Sequence, residues 1–219
     1  MHWTEYLPAL FKGAQITVVL ALSSLAIGTL LAFAAGIARF AGGPILSTIA
    51  VVYIEIFRGT SLLVQLFWLY YALPLIGISF DPLTTGIMGL GLNIGAYGAE
   101  VVRGALKSVP EAQHEAARAL NFSKGHTLFH VILPQAIVEM MPAFGNLAIH
   151  NLKDTALASL IAISDLTFQA QRLRNLTLDN VTIYSLTLLG YFAMALVLAY
   201  AIRWLERRLK RQTMAGGFA

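Results

Sequence analysis

Long uncharged apolar runs constrain this chain more than any other feature. Residues 14–38 carry no charged side chain before Arg39, and comparable apolar runs occupy 47–75, 83–99, 128–149 and 181–202. About 20 consecutive apolar residues suffice to cross the hydrocarbon core of a bilayer as a helix. The pattern therefore predicts an all-α membrane protein with five transmembrane helices, built as a single domain over residues 1–219. A soluble helical protein with unusually apolar core helices is the alternative. It fits poorly, because only 12% of residues are charged against roughly a quarter in soluble domains. The 14–38 run is too long for a secretory leader, lacks a basic start and is followed by further spans, so it reads as a helix of the mature protein. With no cysteine, disulfides and thiolate metal sites are excluded. No GxxxxGK[ST] phosphate loop occurs, so ATP hydrolysis is not expected of this chain.

The segments between runs suggest how the chain is threaded. An amphipathic start is expected over residues 2–13, and Gly42, Gly43 and Pro44 form the first turn. Residues 47–75 read as one long helix with Glu55 and Arg58 in its early part, and Asp81-Pro82 opens the next span. That third span holds Gly86, Gly89, Gly91, Gly95 and Gly98; small residues at such spacing permit close helix contact, although a glycine-lined pocket would look the same. Residues 156–163 are apolar but too short to cross, and read as a re-entrant or broken segment buried against protein. Residues 165–180 are polar and are expected at the surface. Arg39, Arg58, Arg103, Lys107, Arg118, Lys124 and the tail residues Arg203, Arg207, Arg208, Lys210 and Arg211 all fall on one side if the N-terminus lies outside. Only Lys12, Lys153, Arg172 and Arg174 fall on the other. Basic residues favour the cytoplasmic face, so the expected orientation is N-terminus outside, C-terminus cytoplasmic.

The most polar stretch, 108–130, faces the cytoplasm in this arrangement. Ser108-Val109-Pro110-Glu111 has the form of a capping box opening a short helix. Glu111 has no basic residue three or four places on and so no expected pairing role within that helix. Ala112, Ala116, Ala119 and Leu120 share a narrow face of small residues. Asn121 is placed to end the helix in the left-handed region, and Ser123 can start the next one. Such a segment suits docking into a groove of another protein, and equally an ordinary surface helix.

Three ordered motifs narrow the choice. Glu115-Ala116-Ala117 followed by Asn121, Phe129, Ile132 and Leu133-Pro134 resembles the EAA loop of permease subunits of bacterial ABC importers. The runs 53–65 (YIEIFRGTSLLVQ) and 152–157 (LKDTAL) resemble the polar amino acid subfamily, which includes histidine, glutamine, arginine and opine permeases. The resemblance covers essentially the whole chain. It departs at Asn121, where the family usually has glycine, and at Ser61, where it usually has proline.

The resemblance implies the type I importer permease fold in the bacterial inner membrane and a transport subunit with no catalytic residues. It implies a second permease subunit, identical or homologous, and two cytoplasmic ATPase subunits that bind ATP and Mg. It also implies an extracytoplasmic solute-binding protein, with membrane lipid around the bundle and no nucleic acid. This chain itself would hold no cofactor and no metal. Glu115, Ala116, Ala117, Leu120 and Asn121 would couple to the ATPase, which drives the permease between inward- and outward-facing states. The expected solute is a polar amino acid or a close derivative, opine- or ectoine-like.

Ionisable residues inside a membrane are costly and normally face a partner or a cavity. Glu55 with Arg58 and Glu100 with Arg103 are spaced three apart, as structural salt links or as an inner gate. Lys153 and Asp154 interrupt an apolar stretch after a full crossing, where broken helices often present polar groups to solute. Asn146, His150 and Gln169, and more weakly Glu139, are further candidates for the solute path. An ion-coupled secondary transporter also accommodates buried charges and broken helices, but gives the EAA segment no role.

Overall fold

The computed structural model describes residues 3–215, with side chains described for residues 4–209. His2 and the tail cations Lys210 and Arg211 therefore lie outside the described residues or side chains. Leu7–Ala41 forms α1, so most of the expected amphipathic start belongs to the first span itself. Pro44–Gly59 forms α2, which begins with proline at its first turn, where no amide partner is lost. Leu62–Phe67 forms α3, which winds on through a wider turn, Trp68–Ala72, and a tighter 3-10 turn, Leu73–Ile76. Pro82–Ser108 forms α4, Glu111–Ala119 α5 and Lys124–His126 α6. Leu133–Asp154 forms α7, Leu166–Thr177 α8 and Asn180–Ala215 α9.

Three helical stretches, Leu7–Ala41, Lys124–Ile161 and Asn180–Leu209, are long and apolar enough to cross a membrane, and the bent pair α2–α3 makes a fourth. Helix α4 is not apolar enough to be counted with them, but it is long enough to span. Its 27 residues reach about 40 Å at 1.5 Å per residue. It is less apolar than the others because it is enclosed by protein: Thr85, Gly86, Gly89, Leu90, Gly91, Ile94, Gly95, Ala96, Gly98 and Ala99 are all buried.

The helices assemble around a parallel α1–α4 pair. Leu20 lies beside Gly86, Gly28 against Gly91 and Gly95, and Gly36 against Ala99 and Val102, so both helices run the same way. At Gly36 an added Cβ would fall 2.8 Å from the Ala99 carbonyl oxygen; at Gly28 it would press on the Ile94 side chain and sit 3.0 Å from the Gly91 carbonyl oxygen. Glycine is what allows this approach. Helix α7 returns antiparallel, with Phe144 stacked on Phe33 and Asn151 donating to the Ala21 carbonyl at 3.0 Å. Helix α9 closes the other side, with Ile202 against Gly145. Three apolar clusters follow the axis: Val102, Leu106, Leu128, Ile132 and Met140 at one end; Leu20, Leu66, Leu90 and Ile161 in the middle; Tyr6, Leu10, Leu166 and Ile183 at the other.

Several sequence expectations need correction. Residues 47–75 are not one long helix: α2 and the α3 segment meet at 103°. Thr60 and Ser61, both extended, form the corner after Gly59. The apolar pattern breaks at 150–154, but the helix does not, since α7 runs through to Asp154. The short apolar segment after it is a tight 3-10 turn, Thr155–Ile161, with Thr155, Ala158 and Ile161 buried, as a protein-packed re-entrant piece requires. Residues 165–180 are not uniformly at the surface. Asp165 is fully buried, caps α8 through the Phe168 amide at 2.9 Å and accepts from the Tyr191 hydroxyl at 3.2 Å.

Candidate functional site: a cavity at the helix break

The corner between α2 and α3 lies beside Asn93, near the middle of α4. A bend there frees carbonyl groups that an unbroken helix would have bonded, and no water is at hand in a bilayer core to satisfy them. Two amides take over. The Gln65 side chain donates to the Phe57 carbonyl at 2.9 Å, the Thr60 carbonyl at 3.3 Å and the Thr60 hydroxyl at 2.7 Å. Asn93 donates to the same Phe57 carbonyl and to the Gln65 amide oxygen, both at 3.1 Å. One wall of the site is thus a polar brace between α2, α3 and α4.

Over this brace lies a cavity of about 410 Å³, lined by Thr60, Ser61, Asn93, Tyr97, His150 and Asp154 among apolar Leu62, Leu90, Ile94 and Leu147. Its size suits a small organic molecule. Asp154 is its one carboxylate, and His150, one helical turn back on α7, contacts it at 3.0 Å through Nδ1. The His150 side chain is 75% exposed and that of Asp154 28%, so the pair is reachable from the open side. Asn151 also touches the cavity, but its amide is committed to the Ala21 carbonyl and the Ser24 hydroxyl.

The other candidate residues are spread more widely than their sequence proximity suggests. Lys153 is exposed and turned away from the cavity that Asp154 lines. Asn146 and Glu139 are exposed along α7 without lining it, and Gln169 packs against Gly13 of α1. Glu100 does pair with Arg103 at 2.8 Å, and also with Arg39 of α1. Glu55 and Arg58 do not pair with each other: Arg58 rests over the Tyr97 ring, 5.4 Å from its centroid. Sequence reasoning missed Asn93 and did not assign Gln65 a role. The signal for Gln65 was its place in the 53–65 motif. For Asn93 it was a lone amide in a glycine-rich span.

The polar connection between α4 and α7 is a second site. The capping box does not form. Proline at 110 disfavours helical backbone at the residue before it, so Val109 is extended, α4 ends at Ser108 and Pro110 stands at the N-cap of α5. The Ser108 hydroxyl turns back to the Ala105 carbonyl instead. Nor is Glu111 without a partner in this helix, since Arg118, two turns on, reaches it at 2.7 Å. Asn121 adopts the left-handed conformation with φ 59°, its amide donates to Arg118 and that of Phe122 to Ala117. Ser123 caps the next turn through the His126 amide. Leu120 is 67% exposed, and Glu115 and Ala116 are exposed, whereas Ala117 is 2% exposed and packs inward. The outward face therefore consists of Glu115, Ala116 and Leu120, with Ala117 fixing the helix to its own subunit.

Among the described residues no group of three or more His, Cys, Asp or Glu could hold a metal ion. Residues 24–211 match the model of a family described as binding-protein-dependent transport system inner membrane component. The chain is 50% identical to a probable amino-acid ABC transporter permease, y4tF, of Sinorhizobium fredii, over 96% of this chain and 91% of that one. It is 38% identical to the glutamine transport system permease GlnP of Escherichia coli, over 93% and 94%. A crystal structure of an amino acid ABC transporter with histidines superposes with a TM-score of 0.87 at 34% identity, covering 94% of this chain and 96% of that one. An inward-facing MetNI methionine ABC transporter shares the fold, with a TM-score of 0.78 at 19% identity.

Proposed function

The chain belongs to the binding-protein-dependent transport system inner membrane component family, and from that premise we propose that it forms half of an import path for a polar amino acid or close derivative. It is a membrane permease subunit of an amino-acid ABC transporter and not an enzyme; the ATPase in these systems is a separate subunit. That membership displaces the ion-coupled alternative.

In the proposed assembly two permease subunits stand side by side, with two ATPase subunits bound on the cytoplasmic side and a solute-binding protein outside. The N-terminus is extracytoplasmic, which puts the α4–α7 connection and the tail in the cytoplasm, in keeping with the lysine and arginine bias. The observation that carries the solute reading is the cavity at the α2–α3 corner, with Asp154 as its one carboxylate beside neutral amides and hydroxyls. A solute ammonium would take the place of His150 on Asp154, and the Ser61 hydroxyl and the Asn93 amide oxygen would offer hydrogen bonds to its polar remainder, the Asn93 donors and the Thr60 hydroxyl being engaged in the brace. Opine- and ectoine-like solutes share this need for few, well-placed polar contacts. Uptake by the reconstituted complex with its own binding protein, across labelled solutes, tests the class: polar amino acids or their derivatives are transported, and exclusive transport of sugars or peptides contradicts it.

The exposed face of α5 is proposed as the ATPase contact, supported by the exposure of Leu120 beside exposed Ala116 and Ala119. Leu120→Asp would bury an unpaired charge in that contact, at a cost of several kcal/mol. The variant should reach normal abundance in the membrane, copurify poorly with the ATPase and lose stimulated uptake. Wild-type association and uptake would remove this face from the interface.

A further inference from the structure

A second cavity, of about 330 Å³, lies behind α5, between that helix and the end of α1. Its floor is apolar. Leu128 and Ile132, both buried, come from the wide turn Thr127–Ile132, and Phe40 of α1 and Phe122 line the space with them. Its rim is charged, with Glu111, Arg118 and Lys124 all exposed. Glu111, His114 and Arg118 are three and four residues apart and so share one face of α5. Ala116 and Leu120 each stand two residues from Arg118, about 200° around the helix. The cavity and the proposed ATPase contact therefore occupy opposite faces of one short helix.

The rim carries both signs of charge. Arg118 donates to the Glu111 carboxylate at 2.7 Å, and that pair is open to solvent. Lys124 makes no ion pair among the described residues. The end of α1, at Ala41, also borders the cavity, and a helix C-terminus favours a cation. A purely anionic ligand would face Glu111, and a purely cationic one would face Lys124. A zwitterion with an apolar arm answers both charges and the floor.

We propose that this cavity binds a free α-amino acid with an apolar side chain, and that the bound molecule restrains α5, so that cytoplasmic amino acid slows the transport cycle. This rests on the reading of α5 as the ATPase contact. The carboxylate lies on Lys124 and Arg118, the ammonium on Glu111, and the side chain over Leu128 and Ile132. The Glu111–Arg118 pair stays closed, since guanidinium and carboxylate each have bonding positions to spare. Helix α5 is lightly held: Ala117 is its one buried residue, and the Gln135 amide reaches Gln113 only at 3.5 Å. A molecule wedged behind it stabilises the conformation that contains the cavity. A ligand that favours one state of a cycle needing two lowers the rate of that cycle. The rim charges are exposed and contribute modestly, so the expected affinity is on the order of millimolar.

A ligand-observed NMR titration of L-phenylalanine with the purified permease–ATPase complex, without the binding protein, tests the site. L-leucine should compete. Phenethylamine, which lacks the carboxylate, and 3-phenylpropionate, which lacks the ammonium, should each bind about tenfold more weakly. Lys124→Glu should weaken binding about fivefold or more, and Lys124→Arg should restore it. Asp154→Ala, in the other cavity, should leave it unchanged. Saturating L-phenylalanine should lower ATP hydrolysis by about half, relative to each variant's own ligand-free rate, in wild type and Lys124→Arg but not in Lys124→Glu. Binding indifferent to Lys124→Glu, equal binding of 3-phenylpropionate or of inorganic phosphate, or loss of binding in Asp154→Ala would each overturn the site. Binding with no change in hydrolysis would overturn the restraint of α5. Leu120→Asp, which tests the ATPase contact, should bind phenylalanine as wild type does because Leu120 faces away from the cavity, so failure of that reading leaves the binding result intact.

Discussion

Helix α4 has two working faces, and they are built on opposite principles. Toward α1 it presents glycine, alanine and valine to a glycine-bearing partner, in a dry contact with backbone near backbone. Toward α2 and α3 it presents Asn93 and Tyr97, which meet a bent chain through side-chain hydrogen bonds and border a cavity. A close-packed seam tolerates no added atom and has no room to hold anything. The polar face needs fixed donors and leaves space. One helix thus supplies both the rigid spine of the subunit and a wall of the cavity at the helix break.

The largest effect should come from spoiling the dry face. Gly36→Val would drive a branched side chain into the Ala99 carbonyl and Val102, a backbone conflict beyond the roughly 1–3 kcal/mol of ordinary overpacking. Folded permease recovered from membranes, measured by size-exclusion profile, should fall severely. Normal recovery would show that the seam is not the spine.

Spoiling the polar face should act differently. Asn93→Leu keeps size but removes both donations to the corner, leaving the Phe57 carbonyl to Gln65 alone. Loss of a buried hydrogen bond costs about 1–3 kcal/mol, which a well-packed bundle survives. The variant should assemble near wild-type levels and lose at least tenfold in uptake. Gln65→Leu should resemble it. A variant that fails to assemble would make the brace a part of the spine.

A smaller effect sharpens the picture of the dry side. Beyond Gly13 the seam continues into α8, where the Thr17 hydroxyl accepts from the Leu166 amide at 3.0 Å and Asp165 lies buried. Burial pushes the Asp165 carboxyl up from 3.8 to about 6, against the hydrogen bonds from the Phe168 and Thr167 amides and Tyr191 that favour its ionised form. The folded state therefore holds this proton to higher pH than the unfolded chain does. The group's relative stabilisation is full below about pH 4 and is lost as pH rises through 6, on the order of 3 kcal/mol in all. Thermal unfolding should show higher stability at pH 4.5 than at pH 7 from this group, and Asp165→Asn should flatten that difference. An unchanged profile in the variant would assign the pH dependence elsewhere.

The two faces were unequally legible in the sequence. Apolar runs reveal crossings because lipid demands them, and the glycine spacing in 86–98 pointed to close contact on α4. The α2–α3 corner was hidden: no proline marks it, and Gly59-Thr60-Ser61 reads as easily within a helix as at a break. What holds the corner comes from far along the chain, at Asn93, and only the fold brings that amide to the Phe57 carbonyl. Local rules succeeded where the partners were local, as at Glu100 with Arg103, the Ser123 cap and the left-handed Asn121. They failed at Ser108, where the effect of Pro110 on Val109 outweighed the capping pattern. Adjacent Lys153 and Asp154 need not form one site, since successive helical residues point about 100° apart, and only Asp154 lines the cavity.

That separation gives the most direct test of the central claim, that the solute sits in the cavity at the helix break. Binding of radiolabelled amino acid to the purified permease–ATPase complex, without the binding protein, should weaken at least tenfold in Asp154→Ala and stay within about twofold of wild type in Lys153→Ala, since only the former removes the cavity's carboxylate. Wild-type binding in Asp154→Ala, or a loss confined to Lys153→Ala, would place the solute elsewhere.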